Sequence, residues 1–178
     1  MRTLLCALFV AVSLCGTVQA DTPLFSADGF RLTLYRSPTP TQIDGAQIVD
    51  TPAVQALVQQ TPKALLVDVY RRPWLHGQFV EDQPHANLPD SLWLANAGDG
   101  ELTPEWQQYF ANNLRTATAG RLDHPVVFYC RSDCWLSWNA IKRARALGYT
   151  RLYWYRDGLD AWEAAGLPVT PAQPQPLL

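Results

Sequence analysis

Pro125-Val-Val-Phe-Tyr-Cys130-Arg-Ser-Asp-Cys134-Trp135-Leu-Ser-Trp138-Asn-Ala140 decides how the rest of the chain is read. The apolar run Pro125 to Tyr129 reads as a strand buried on both faces. It ends at Cys130, and a helical pattern starts at Cys134. A cysteine between a strand end and a helix start meets unpaired backbone N–H groups and a positive dipole end, which favour thiolate over thiol. Cys130 and Cys134 are therefore the expected catalytic pair, and Arg131, Ser132, Asp133 and Trp135 the expected substrate-binding loop. A purely structural staple is the competing reading. It is the weaker one, because closing five residues restrains an unfolded chain less than closing a long loop.

Outward from this loop, strands and helices alternate. The helix is expected over Cys134 to Leu147, with Trp138, Ile141, Ala144 and Leu147 on its buried face and Lys142, Arg143 and Arg145 towards solvent. Gly148 is its natural stop. Leu152 to Tyr155 reads as a further strand, Asp157-Gly158 as a turn, and Leu159 to Ala165 as a last short helix. Upstream, Ala64 to Tyr70 is another buried strand, carrying the single charge Asp68. Thr51-Pro52 and Thr103-Pro104 each pair a capping hydroxyl with proline in the first helical turn. Phe30 to Tyr35 alternates loosely and is expected as an edge strand. Between Arg71 and Gly100 lies a long irregular region with His76 and His85, of the kind that serves or covers a site.

Strands separated by helices imply an α/β fold of three layers, a mostly parallel central sheet flanked by helices. Ligands of such sheets sit beyond the carboxyl ends of the strands, where Cys130 falls.

The ends of the chain carry different signals. Met1-Arg2, the apolar run Leu4 to Leu14 and Val18-Gln19-Ala20 make residues 1–20 a cleavable export signal, with Asp21 the expected mature N-terminus and the periplasm the expected location. Cys6 and Cys15 leave with it. Residues 21–47 form an N-terminal extension, 48–169 the domain, and 170–178 a proline-rich tail expected to be an extended strap or a disordered, inert end. The formal charge is −2 at pH 7 and lysine is scarce, so nothing favours nucleic acid. No further stretch is long and apolar enough to span a membrane.

These segments resemble a rhodanese domain. Leu65-Leu-Val-Asp68-Val resembles that family's first buried strand, His85-Ala-Asn-Leu-Pro-Asp-Ser91 its Gly-His-Ile-Pro-Gly-Ala turn, and Val126 to Cys130 the strand leading to its catalytic cysteine. Gly148 to Tyr153 and Gly158 to Pro168 resemble its closing strand and terminal helix. Phe128-Tyr-Cys130 with Cys134-Trp135-Leu-Ser-Trp138-Asn139-Ala140 is closer still to an exported subgroup, the pyrroloquinoline-quinone-dependent catabolism-associated proteins with a CxxxCW motif. That resemblance implies an association with periplasmic quinoprotein alcohol oxidation.

The loop departs from an active rhodanese loop, which resembles Cys-Arg-Xaa-Gly-Xaa-Arg. Asp133 stands in the glycine place and Trp135 in the last arginine place. One change adds negative charge beside sulfur and the other removes a cation, so a dianionic donor such as thiosulfate is disfavoured. A tyrosine-phosphatase-like site would need arginine where Leu136 stands. A c-type haem site would need histidine where Trp135 stands, and thioredoxin-like pairs have two intervening residues rather than three. The histidines His76, His85 and His124 lack paired metal-ligand spacing. No motif asks for a cofactor or a metal.

Two functions follow as expectations. In the first, Cys130 forms a persulfide or a mixed disulfide with a sulfur-containing small molecule or a protein thiol, held by the amides of Arg131 to Trp135 and resolved by Cys134. A bridge between the two needs their Cα atoms within about 4.4–6.8 Å. In the second, the domain is a catalytically inactive module docking a quinoprotein alcohol dehydrogenase or its cytochrome through Trp135, Trp93 and the Arg71 to Gly100 region.

Overall fold

In the computed structural model, which describes residues 23–177, five parallel strands form the central sheet. They are β1 (Ala46–Ile48), β2 (Leu65–Asp68), β6 (Leu92–Trp93), β7 (Val126–Tyr129) and β8 (Leu152–Tyr155), in the order β1-β8-β7-β2-β6. β7 lies at the centre, with Val126 opposite Leu65 on one side and Leu152 on the other. Such a strand must be apolar throughout, and all four of its residues are buried.

The pleat sends alternate residues to opposite faces. Val126 and Phe128 join Val67, Leu152 and Trp154 on one face, under α2 (Pro104–Ala117) and α3 (Trp135–Ala146). Val127 and Tyr129 join Leu66 and Tyr155 on the other, under α1 (Thr51–Gln59) and α4 (Gly158–Ala164). Two cores enclosing one sheet give the three-layer α/β fold expected from the sequence. Trp154 shows how the layers are tied. It is fully buried, and its indole N–H donates to Ser137 Oγ on α3 at 2.9 Å.

Several local expectations are corrected. Phe30 to Tyr35 is not a strand; Arg31 forms only an isolated bridge with Phe25, and the sheet's edge is Ala46–Ile48. Alternation failed there because Arg31, not an apolar residue, is the buried group. The cap of α1 is Asp50, whose side chain accepts from the Ala53 amide, one residue before the expected Thr51. On α3, Leu147 is exposed, whereas Arg143 turns inward and donates to the carbonyl oxygens of Ala97, Asp99 and Gly100. Burial lowers its pKa to about 10.

The irregular Arg71 to Gly100 region holds more structure than its sequence suggested. It contains β6 and a hairpin of β3 (Trp74–Leu75) and β4 (Gln78–Phe79). The hairpin is anchored by edge-to-face packing of Trp74 and Phe79 on Trp106 of α2. The tail is a strap: β9 (Thr170–Pro171) pairs with β5 (Ala86–Asn87), and the Gln175 amide donates to Trp93 O. No helix among the described residues is long and apolar enough to cross a membrane. The export signal, with Cys6, Cys15 and Asp21, lies outside the described residues.

Candidate functional site

Cys130 directly follows β7, and Cys134 occupies the N-cap position of α3. Their sulfurs form a disulfide, with the Cα atoms 6.2 Å apart, inside the range a bridge requires. Both cysteines are 1% exposed. In the bridged form the Cys134 side chain makes no capping hydrogen bond to the helix.

The loop between them is held from two sides. From α4, Asp160 accepts the Ser132 amide through Oδ2 at 2.9 Å and the Arg131 guanidinium through Oδ1 at 2.6 Å. Burial alone would raise the Asp160 carboxyl, but the Ser132 amide, Arg131 and Arg36 together hold it below its ordinary value. Ser132 Oγ donates to Asp157 O, and the Leu159 amide donates to Cys130 O. Gly158 makes this approach possible. Its φ of +55° suits glycine, and a Cβ there would collide with the Cys130 carbonyl.

From the other side comes the N-terminal extension. Tyr35 O accepts the Trp135 amide, Asp133 O accepts the Ser37 amide, and Asp133 Oδ1 accepts from the Thr39 amide and hydroxyl. These bonds support the φ of +50° at Asp133, where the family pattern has glycine. Trp135 is 7% exposed, its indole donating to Ser37 Oγ and its ring packed against Phe25 and Trp138. Arg31, also buried, packs its guanidinium against both the Phe25 and Trp135 rings, 5.1 and 4.8 Å from their centroids.

Two expectations change on this geometry. Of the amides expected to cradle a Cys130 sulfur, those of Ser132 and Trp135 are engaged by Asp160 and Tyr35. Trp135, expected as a contact surface, is covered by the extension, and Trp93 is 1% exposed. The engaged amides and the covered Trp135 have one source: Asp160 and residues 31–39 are distant in sequence, and only the fold brings them to the loop.

Arg131 also lines a cavity of about 410 Å³ beyond the ends of β2 and β6. Its other walls include Tyr70, Arg71, Arg72, His85 and Trp93. The His85 ring stacks on Tyr70 and bonds through Nε2 to Asp68 Oδ2 at 2.7 Å. The sequence supplied His85 and Asp68 as segments of a pattern; their pairing across the sheet end was not legible. No group of three His, Cys, Asp or Glu side chains converges on a metal-sized site among the described residues.

A parallel sheet in the order above, with a cysteine loop between its central strand and α3, is a known family arrangement, and a family model described as a rhodanese-like domain matches residues 51–165. The chain belongs to the rhodanese-like family. No curated protein matches it. Among solved structures, a thiosulfate sulfurtransferase from Pseudomonas aeruginosa is 14% identical with a TM-score of 0.51, covering 75% of this chain and 22% of that one. Wild-type EanB is 18% identical with a TM-score of 0.51, covering 71% and 32%. The polysulfide-sulfur transferase homodimer from Wolinella succinogenes is 20% identical with a TM-score of 0.48, covering 71% and 79%. The chain spans about a third or less of the first two proteins. The rhodanese-like fold they share is one found among sulfurtransferases.

Proposed function

We propose that this rhodanese-like domain carries a redox-active dithiol where its relatives carry a persulfide cradle, and that it exchanges disulfides with thiols. The Cys130–Cys134 bridge in the loop position of the family's catalytic cysteine carries this reading. A thiolate RS⁻ attacks Cys130 Sγ, forms a mixed disulfide there and expels Cys134 as a thiolate. A second RS⁻ attacks the sulfur of R in the mixed disulfide, releasing RSSR and the Cys130 thiolate. The protein disulfide gains two electrons, the two thiols lose them, and the two protein thiolates take up the protons that the two RSH gave up. Reversal restores the bridge, with Cys134 as the resolving thiol.

The polarity of the step follows from position. Cys134 caps α3, where a thiolate faces the positive end of the helix dipole, so it is the better leaving group. Cys130 is joined to Arg131, which lines the cavity through which a small thiol would approach. Persulfide transfer from thiosulfate is less well supported, because the Ser132 and Trp135 amides are already engaged. An exported setting, expected from residues 1–20, keeps such a pair oxidised when it is not turning over. The CxxxCW resemblance supports a partner among the proteins of periplasmic quinoprotein alcohol oxidation. A docking role through Trp93 and Trp135 has less support, since both are buried.

Mass spectrometry of the protein isolated from periplasm without reductant tests the proposal. The expected species is an intramolecular disulfide together with mixed disulfides at Cys130. A persulfide on Cys130 with Cys134 free would contradict it.

A further inference from the structure

The cavity beside Arg131 carries charged groups that the exchange step does not use. Arg72 is the most informative. Its side chain is 3% exposed, and Nη1 donates to Asp82 Oδ1 at 3.2 Å and Gln83 O at 2.7 Å. Its Nη2 is buried with no acceptor among the described residues. An unpaired guanidinium N–H in a buried place is costly, and Arg72 is one of the residues that line the cavity. Arg71 and Arg131 line the same cavity, each with N–H groups beyond those paired to Asp99 and Asp160.

The same walls hold two carboxylates. Asp82 meets Arg72 through Oδ1, and Asp99 meets Arg71 through Oδ1 at 2.5 Å. Each thus engages its arginine through one oxygen and keeps a second that can accept from a ligand. Burial raises the Asp99 pKa despite the neighbouring guanidinium, so a further cation beside it would stabilise its charged form. A site with guanidiniums and carboxylates side by side in its lining discriminates against simple anions, which the carboxylates repel, and against simple cations, which the guanidiniums repel. Its complement carries both charges. The volume of about 410 Å³ suits a small molecule, and the stacked Tyr70 and His85 rings give it one flat side.

We infer that this cavity binds zwitterionic amino-acid thiols, the α-carboxylate on Arg72 and Arg71 and the ammonium on Asp82 and Asp99. Arg131, next in sequence to Cys130, lines the same cavity. The thiol of the ligand rests on the exchange reading above; its two charged ends rest on the cavity alone.

S-methyl-L-cysteine separates the two, because it has the charges but no thiol. Calorimetric titration of the oxidised protein should show saturable binding. The methyl ester and the N-acetyl derivative should each bind at least about tenfold more weakly, the scale of a lost charge-assisted hydrogen bond. Arg71→Gln, at a half-exposed side chain, should weaken the parent probe by a similar factor. No binding of S-methylcysteine, or equal binding of the blocked forms, would overturn the inference. An N-acetyl form as tight as the parent would mark a plain anion site and overturn it equally. Binding without disulfide exchange would instead defeat only the exchange reading.

Discussion

Asp160 Oδ2 accepts the Ser132 amide at 2.9 Å, which puts a carboxylate where a persulfide-carrying loop would offer a donor to sulfur. Helix α4 thereby claims part of the loop's hydrogen-bonding capacity, and Tyr35 O claims more at Trp135. The same pairings hold the loop in the shape that closes the disulfide. The chemistry of this domain follows from what its neighbours take away as much as from what the cysteines supply.

Thiosulfate sulfurtransferase activity should be at least about a hundredfold below that of an active rhodanese. The scale is that of removing one donor from a preorganised anion hole, and here two amides are diverted. Cyanide-coupled thiocyanate release measures it, and turnover comparable with an active rhodanese would refute the assignment.

Asp160→Asn should lower stability in a pH-dependent way. The folded Asp160 carboxyl is held below its ordinary value, so its charged form stabilises the fold above the unfolded pKa. That stability is lost as pH falls through the folded value. Urea unfolding of wild type and variant at a series of pH values checks the sign. The two curves should be separated at pH 7 and draw together as pH falls below about 3.9, where an unperturbed Asp titrates. A constant separation across that range would exclude the linkage.

Arg31→Ala should destabilise the protein by about 2–3 kcal/mol, combining lost hydrogen bonds from a charged donor with lost cation–π contact. Arg31 donates to Thr33 O through Nε at 2.7 Å and to Ser37 Oγ through Nη2 at 3.1 Å, and spans the Phe25 and Trp135 rings. Chemical denaturation followed by tryptophan fluorescence gives the value. A change below about 0.5 kcal/mol, the scatter of inert surface substitutions, would mean the extension is not pinned at this point.

How far the sequence could be read is clearest by comparing these residues. β7 and β8 were legible because a central parallel strand must be apolar on both faces, and Val126 to Tyr129 and Leu152 to Tyr155 are. The Thr103 cap was legible because capping is local chemistry. The short β6 was not, since two residues pairing with β2 carry no period of their own. Arg31 misled for a different reason. The buried side chain packs on Phe25 and Trp135 while the Arg31 backbone amide donates to Asn139 Oδ1, and the last two residues lie over a hundred positions away. Cys130 and Cys134 were visible as a pair, but Asp160, Tyr35 and the Arg72 cavity reach the loop only through the fold.

Single cysteine variants should behave unequally towards iodoacetamide after reduction. Cys130→Ser should leave a Cys134 thiol shielded by the N-terminal extension, which bonds to Asp133 and Trp135 on either side of it. Cys134→Ser should leave Cys130 reactive and prone to accumulate mixed disulfides. Labelling rates at neutral pH compare the two, and faster labelling of Cys134 would reverse the roles assigned to them.

The midpoint potential of the Cys130–Cys134 couple tests the central claim most directly. Closing a five-residue loop restrains the unfolded chain by only about 2 kcal/mol on the chain-entropy estimate. Release of Cys134 at the start of α3 further stabilises the reduced form. Equilibration against defined thiol–disulfide buffers should therefore give a potential above about −300 mV, in the range of exchanging pairs. A value below about −300 mV would mark the bridge as a structural staple and contradict the account.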